Sequence, residues 1–550
     1  MFWDTTKYPA EYPQKIKKIY FKESITNRKP FTKWIGKISK NFPNDIDWWV
    51  TIPLSRDPYL SNLYHYICIL KTLKVSKKKI KIDTVIVNSK SLLNLIKIWL
   101  YKNKIDTKVK YVGENEKIKN FFILFKSTFF YFFLFFIINI FTKKKIIKKD
   151  ERKSVLIDTF ATKESIYGER LYQGLDSFIK TKKIKHVFFV PTFIIEKNLF
   201  KIVKIIHTLN KKNYLFKEHY LKINDIFFAS CHFLRIKKYT KKYISYYGWD
   251  LSKIICEEIT SLKNYPSKIS GILNYRFAKN IFFQKIYLKK VINWFENQIV
   301  DKGWNLGFRK YSKNTETYGY QGFLNYPHYM HSIPAKHEEQ ARVIPSKIFT
   351  IGKAYKNLKK EFFPKINISV GPALNYQKIF KINFKAKKIK VLAILSGIKS
   401  LDLKILEWIS SIHKMNKNLK IVLKPHPILP LDKIVEANKN LIISNEKLSK
   451  LLIKTEIAIC TGPTSATIES LAYNCDLLVP IIDAFDEYSL KILNISKKKY
   501  TLIHNKIDLA KLIKKKLNKK YTGKTKKSNN LKLRNFLFEK LNNKNIKLYY

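Results

Sequence analysis

A chain of 550 residues, 46% of them hydrophobic, can bury several cores, as three or four domains or as two large α/β domains with insertions. Its formal charge of +66 invites a nucleic-acid reading, but only 9 of the 107 basic residues are arginine, the side chain that base readout favours. No zinc-finger, RRM or basic-zipper pattern is present, so specific nucleic-acid binding is set aside in favour of an anionic membrane leaflet or a phosphorylated substrate.

From about residue 45, short apolar runs alternate with helical periodicity, the mark of βα units and a mainly parallel sheet. Strands are predicted at WWVTIP (48–53), IDTVIVN (82–88), VKYVG (109–113), SVLIDTF (154–160) and HVFFVP (186–191). Between them, FFILFKSTFFYFFLFFIINIF (121–141) is the one run long enough to span a bilayer. Lysines flank it on both sides, which conflicts with a single crossing, and a crossing would separate strands expected to share one sheet. The segment is therefore predicted to lie on the inner leaflet as a monotopic or re-entrant helix, the other reading being a buried core helix. The N-terminus MFWDTTKYPAEYPQ has no signal-peptide pattern, and Cys68, Cys231, Cys256, Cys460 and Cys475 form no CxxC pair, so a reducing, cytoplasmic setting at the inner membrane is expected.

Residues 196–290 read as a mainly helical insertion, and VINWFE (291–296), TYGY (317–320), KIFTIG (347–352) and ISVG (368–371) complete a first domain over 1–377. The second domain, 378–517, carries strands at VLAILSG (391–397), LKIVLK (419–424), NLIIS (440–444), EIAIC (456–460), LLVPII (477–482) and YTLIHN (500–505), with helices between. This is a doubly wound fold of mononucleotide-binding type without a GxGxxG fingerprint, so NAD or FAD is not indicated. A basic tail, 518–550, ends the chain with a helix at LKLRNFLFEKL.

In such sheets ligands bind beyond the carboxyl ends of the strands. LKIVLK ends at Lys424, and Pro427 holds His426 extended just past it. EIAIC runs into Thr461, Gly462, Pro463, Thr464 and Ser465 ahead of a helix, whose N-terminus is a ready phosphate site. Glu469, one turn into that helix, misses the capping-box spacing and is free to take a ribose diol. The plainer readings are a histidine in a proline turn and an ordinary N-cap. Together on one edge of one sheet, however, these residues point to a nucleotide-binding site: Lys424, His426, Pro427, Thr461, Gly462, Thr464, Ser465 and Glu469.

KPHP (424–427) followed by TGPTSATIESLAYNCDLLVP (461–480) resembles the donor-binding domain of GT-B-fold bacterial glycosyltransferases of capsule and surface-carbohydrate synthesis, including sialyltransferase-like, Kdo-transferase-like and CDP-glycerol transferase-like enzymes. FENQIVDKGWNLGFRKY (295–311), ETYGYQGF (316–323) and VGPALNYQ (370–377) resemble surface-carbohydrate proteins more loosely. The resemblance implies an α/β, GT-B-like architecture, two Rossmann-type domains facing across a cleft. It also implies that His426, Thr464 and Ser465 contact the nucleotide phosphate. The acidic-acidic-Gly motif of sialyltransferases is missing; Asp301-Lys302-Gly303 is the nearest match.

Inverting transfer needs a base facing the donor. Glu296, at the end of VINWFE, leads, with Asp57 and Asp301 as rivals. Arg56, Gln321 and His328 are the acceptor-binding expectations, Arg56 because its fork suits a carboxylate or phosphate. No HExxH or DxD motif has supporting context, so no metal or resident cofactor is expected. The expected reaction is sugar transfer from a nucleotide-activated donor, CMP-linked first, to a polysaccharide or lipid-linked acceptor. A CDP-glycerol-type polyol-phosphate transferase and a non-catalytic membrane-associated assembly protein are the rivals.

Overall fold

The computed structural model describes residues 1–113, 117–147, 154–162, 164, 171–196, 198–240, 243–324, 329–382, 388–416, 418–427, 429, 441–461, 464–518 and 527–550. Three sheets among these are wholly parallel. A small one pairs β1 (Phe2–Asp4), β2 (Thr84–Val87) and β3 (Lys108–Tyr111) in that order. A six-stranded sheet is built from β4 (Val155–Phe160), β5 (Val187–Thr192), β8 (Lys290–Trp294), β9 (Glu316–Gln321), β10 (Lys347–Thr350) and β11 (Ile368–Val370), in the order β11-β10-β9-β8-β4-β5. The short β6 (Ser245–Tyr246) and β7 (Trp249–Asp250) form an antiparallel pair within the helical insertion.

The second domain has β12 (Ile389–Ile394), β13 (Ile421–Lys424), β14 (Leu441–Ile443), β15 (Thr455–Ile459), β16 (Asp476–Pro480) and β17 (Tyr500–Ile503), in the order β14-β13-β12-β15-β16-β17. Every residue of β8 and β15 is buried, as expected where helices cover both faces of a parallel sheet. The α/β expectation of two Rossmann-type sheets therefore holds, and each predicted strand of the second domain is present.

Three expectations change. WWVTIP is not a strand: it forms the helical turns Ile46–Trp49 and Ile52–Ser55, the first capped by Asp45 accepting from Asp47 N, the second carrying Pro53 in its first turn. Its β-branched and aromatic residues read as a strand because they are buried on every side. The strands on either side of the phenylalanine-rich segment do not share a sheet, since β2 and β3 lie in the small sheet and β4 and β5 in the large one. The tail is not a separate piece either. Arg534 Nε donates to Ala472 O of the second domain at 2.7 Å, and from Phe536 onward the chain returns to the first domain, where Glu539 N donates to Ile351 O and Ala373 N to Glu539 O. Lys290 Nζ reaches Leu548 O, and Tyr549 packs edge-on against Tyr172 and Tyr320.

The phenylalanine-rich segment is the helix Lys117–Phe141. Ser127, Tyr131, Leu134 and Ile138, spaced four, three and four apart, form the stripe that docks it, and Tyr131 Oη donates to Pro266 O at 2.7 Å. Phe121, Phe122, Phe125, Phe129, Phe136 and Phe141 are exposed. By length and composition the helix can cross a membrane, yet only 22% of its apolar window is buried in the protein, which removes the core-helix reading.

Candidate functional site

The carboxyl edge of the second sheet brings three loops side by side, because β13, β12 and β15 are neighbours. After β12 the chain turns through Ser396 and Gly397. Asp402, in the first turn of helix Lys399–Met415, fixes that turn by accepting from Ser396 N at 2.6 Å, Ser396 Oγ at 2.7 Å and Gly397 N at 3.0 Å. Gly397 has φ +81°, and a β-carbon there would stand 2.5 Å from His426 Nδ1. The half-buried imidazole therefore rests on the face of the glycine, held on this edge rather than turned into the core. Burial lowers its pKa despite the nearby Asp402 carboxylate, so the ring is neutral at physiological pH. Lys424 closes β13, and Pro427 is exposed beyond His426.

After β15, Thr464 is the extended N-cap residue of helix Ser465–Ala472, but its hydroxyl does not cap the helix. It turns back to Thr461 O at 3.3 Å, which also accepts from Thr467 Oγ1 at 2.5 Å. Thr467 N donates to Thr464 O at 3.2 Å, while the N–H groups of Ser465 and Ala466 precede the first i→i−4 bond of a helix that starts at the carboxyl end of β15. Thr461 Oγ1 is buried and has no hydrogen-bond partner among the described residues. Gly462 and Pro463 lie outside the described residues. Ser465 is exposed, and Glu469 is partly buried beside Tyr355 and Tyr376 of the first domain, where burial pushes its carboxyl up to about 7.

The carboxyl edge of the second sheet meets the first domain at a cleft of about 350 Å³. Thr5, Tyr8, Tyr59, Asn62, Asn88 and Met330 line it from the first domain, and Asp483 and Phe485, beyond β16, from the second. Tyr8 Oη donates to Asp483 Oδ2 at 2.9 Å, while Ala10, two residues on, packs in the core of the second domain. Neither Tyr8 nor Asp483 was among the sequence-based site residues. Asp483 was within reach of the carboxyl-edge rule already applied to β13 and β15.

The first-domain candidates separate sharply. Glu296 lies two residues past β8, half-buried, accepting from Trp294 Nε1 and Gln298 Nε2, each at 2.9 Å. It acts electrostatically on Tyr329, whose ring lies 5.5 Å from that of Tyr59 in the cleft. Asp301 is corrected from base to scaffold: it is buried, and its Oδ2 accepts from Glu296 N and Gln298 N at 3.0 Å, tying down the start of helix Ile299–Tyr311. Asp57 is buried with Oδ1 accepting from Tyr59 N at 2.9 Å, so it shapes the turn that carries Tyr59.

Arg56 and Gln321 are likewise corrected from acceptor contacts to interior supports. Arg56 Nη2 donates to Glu338 Oε2 at 2.9 Å and to Ile333 O at 2.8 Å, and Gln321 Nε2 donates to Ser332 O at 3.1 Å, all buried. His328 lies outside the described residues.

No protein-family model and no curated protein matches the chain. Solved structures resemble it more distantly. The glycotransferase of kitacinnamycin has a TM-score of 0.39 at 9% identity, covering 67% of this chain and 92% of that one. A glycosyltransferase from Rickettsia africae gives 0.37 at 12% identity, covering 70% and 91%, and TarM 0.38 at 13%, covering 74% and 97%. At such scores the likeness assigns neither fold, substrate nor reaction. The layout itself, two Rossmann-type domains meeting across a cleft, is GT-B-like.

Proposed function

We propose that the protein is a glycosyltransferase that moves a sugar from a nucleotide-activated donor, CMP-linked first among them, to a surface polysaccharide or lipid-linked acceptor. The observation that carries this reading is the convergence, on one sheet edge, of a neutral imidazole seated on Gly397 and an open helix N-terminus at Thr464–Ser465. The imidazole N–H and the helix N–H groups hold the donor phosphate, and Glu469 takes the ribose diol. The acceptor hydroxyl enters the cleft and gives its proton to Glu296. Its oxygen attacks the anomeric carbon, the bond from that carbon to the phosphate oxygen breaks, and the charge lands on the phosphate in the cradle. No metal takes part in this scheme. The outward phenylalanines of helix Lys117–Phe141 and the lysines after it seat the protein on the cytoplasmic face of the inner membrane.

Thermal unfolding of the full chain with CMP, CDP, UDP and GDP tests the reading. One nucleotide is expected to protect, by about 2.7 kcal/mol at a hundredfold excess over its Kd. Protection is expected to weaken as pH falls through about 7, because the ribose needs the ionised Glu469 carboxylate. Glu469→Gln should bind more weakly and lose this pH dependence. Without nucleotide the sign reverses. The raised carboxyl favours the protonated fold, so its contribution is full below about 4.5 and is lost as pH rises to about 7. If no nucleotide protects at any pH, the donor site is wrong. Transfer of a polyol phosphate to the acceptor, with CMP released from a CDP-linked donor, would assign the CDP-glycerol-type reaction.

A further inference from the structure

A second cavity, of about 690 Å³, lies between helix Lys117–Phe141 and the first domain. That is within the ~300–1,000 Å³ range of small-ligand sites. Its walls are mostly hydrocarbon: Ile123, Phe129 and Phe130 from the helix, with Leu60, Leu199 and Leu262 opposite. Among the described residues, Lys126 is the only cation lining it and Glu196 the only carboxylate. Two neighbourhoods give the cavity its meaning. On the outer side, Phe129 belongs to the exposed aromatic face of the helix, and Phe200, next to Leu199, is 88% exposed. On the inner side, the turn from Pro58 to Asn62 has both spaces against it. Pro58, Tyr59 and Asn62 line the cleft, whereas Leu60 lines the apolar cavity.

An apolar space open toward a membrane-seeking face, and one residue away from the cleft, fits a hydrocarbon chain drawn out of a bilayer. We propose that this cavity takes the isoprenoid or acyl chain of a lipid-linked acceptor, whose head group then lies in the cleft beside Tyr59. This deepens the transferase reading and rests on it for the identity of the head group. The fit is one of apolar surface to apolar surface, so affinity rises with each methylene that leaves water. Burial of about ten carbons, most of a farnesyl chain, is needed for micromolar binding of a monomeric lipid.

The probe is farnesyl phosphate, titrated below its micellar concentration into the full-length protein and followed by calorimetry. Wild type is expected to bind it, and inorganic phosphate is expected not to compete. Leu199→Trp, which fills the cavity from a partly exposed position, should weaken binding at least tenfold, and Ile123→Trp should do the same from the helix side. Phe136→Ser, on the outward face, should leave farnesyl phosphate binding unchanged while reducing sedimentation with phosphatidylglycerol vesicles. Nucleotide protection, measured on each variant, shows that the fold is intact. Absent binding by the wild type, or wild-type binding in both tryptophan variants, overturns the cavity assignment. So does binding that follows Phe136→Ser, since the lipid would then adsorb on the outer face. Wild type that fails to bind farnesyl phosphate while nucleotide protection is intact counts against the cavity alone. Failure of every nucleotide with farnesyl phosphate binding intact counts against the transferase reading and leaves a lipid site.

Discussion

Glu338→Gln is expected to destabilise the first domain by about 3–5 kcal/mol, the largest loss from any single substitution named here. The Glu338 side chain is wholly buried and accepts from Arg56 Nη2, Ala335 N and Asn297 Nδ2 at 2.9, 2.8 and 3.1 Å, as well as from Lys302 Nζ. Burial alone would raise its carboxyl, but Arg56 and Lys302 outweigh burial and hold it down at about 2. Removing the carboxylate leaves two buried cations without their counter-ion. The same ion pair secures Arg56 at φ +55°, a left-handed conformation that costs a non-glycine residue about 1–2 kcal/mol. Urea unfolding followed by tryptophan fluorescence reports mainly this domain, since Trp408 is the only tryptophan beyond Trp304. The triple change Arg56→Leu, Lys302→Met and Glu338→Leu should cost less than Glu338→Gln, because no uncompensated charge remains. Equal or greater loss in the triple variant would show that packing, not charge, dominates there. Since residues 330–338 border the cleft through Met330, this network links the stability of the interior to the shape of the site.

Gly397→Ala is expected to lower nucleotide affinity about 10- to 100-fold, the worth of one charge-assisted hydrogen bond. The new methyl would stand 2.5 Å from Nδ1 and 2.6 Å from Cγ of His426, so the imidazole must leave its seat. The positive φ adds a strain of about 1–2 kcal/mol to the fold, small beside the loss at Glu338. His426→Ala should give the same loss of affinity. The double variant should fall no further, since both changes remove one contact. The nucleotide Kd of the four proteins, measured under one buffer condition, completes the cycle. Additive losses would mean that His426 and Gly397 act separately and that the imidazole is not held by the glycine.

The second domain was legible because its strands are continuous apolar runs closed by polar or small residues, and His426 and Thr464 follow the carboxyl ends of β13 and β15 as that pattern predicts. The first domain was less so. Trp48, Trp49, Val50 and Ile52 have strand-forming side chains, yet Asp45 and Pro53 turn them into helical turns inside the core. Arg56, Gln321 and Asp301 resembled site residues because polar side chains in a hydrophobic chain attract a functional reading. Their partners are distant or local in ways that composition does not reveal, Arg56 and Glu338 being 282 residues apart. Tyr8 entered the cleft unseen, because β1 is only three residues long and carries no periodic signal. The exposed face of helix Lys117–Phe141 was readable as hydrophobic, but in the docking stripe Ser127–Tyr131–Leu134–Ile138 the partner of Tyr131, Pro266, is 135 residues away.

Hydrogen exchange of the full-length protein with and without the protecting nucleotide tests the phosphate cradle most directly. Slower exchange is expected at the amides of Ser465 and Ala466, with none at the outward helix Lys117–Phe141. Unchanged exchange at Ser465 and Ala466 under saturating nucleotide, or protection confined to another face of the second domain, would contradict the account.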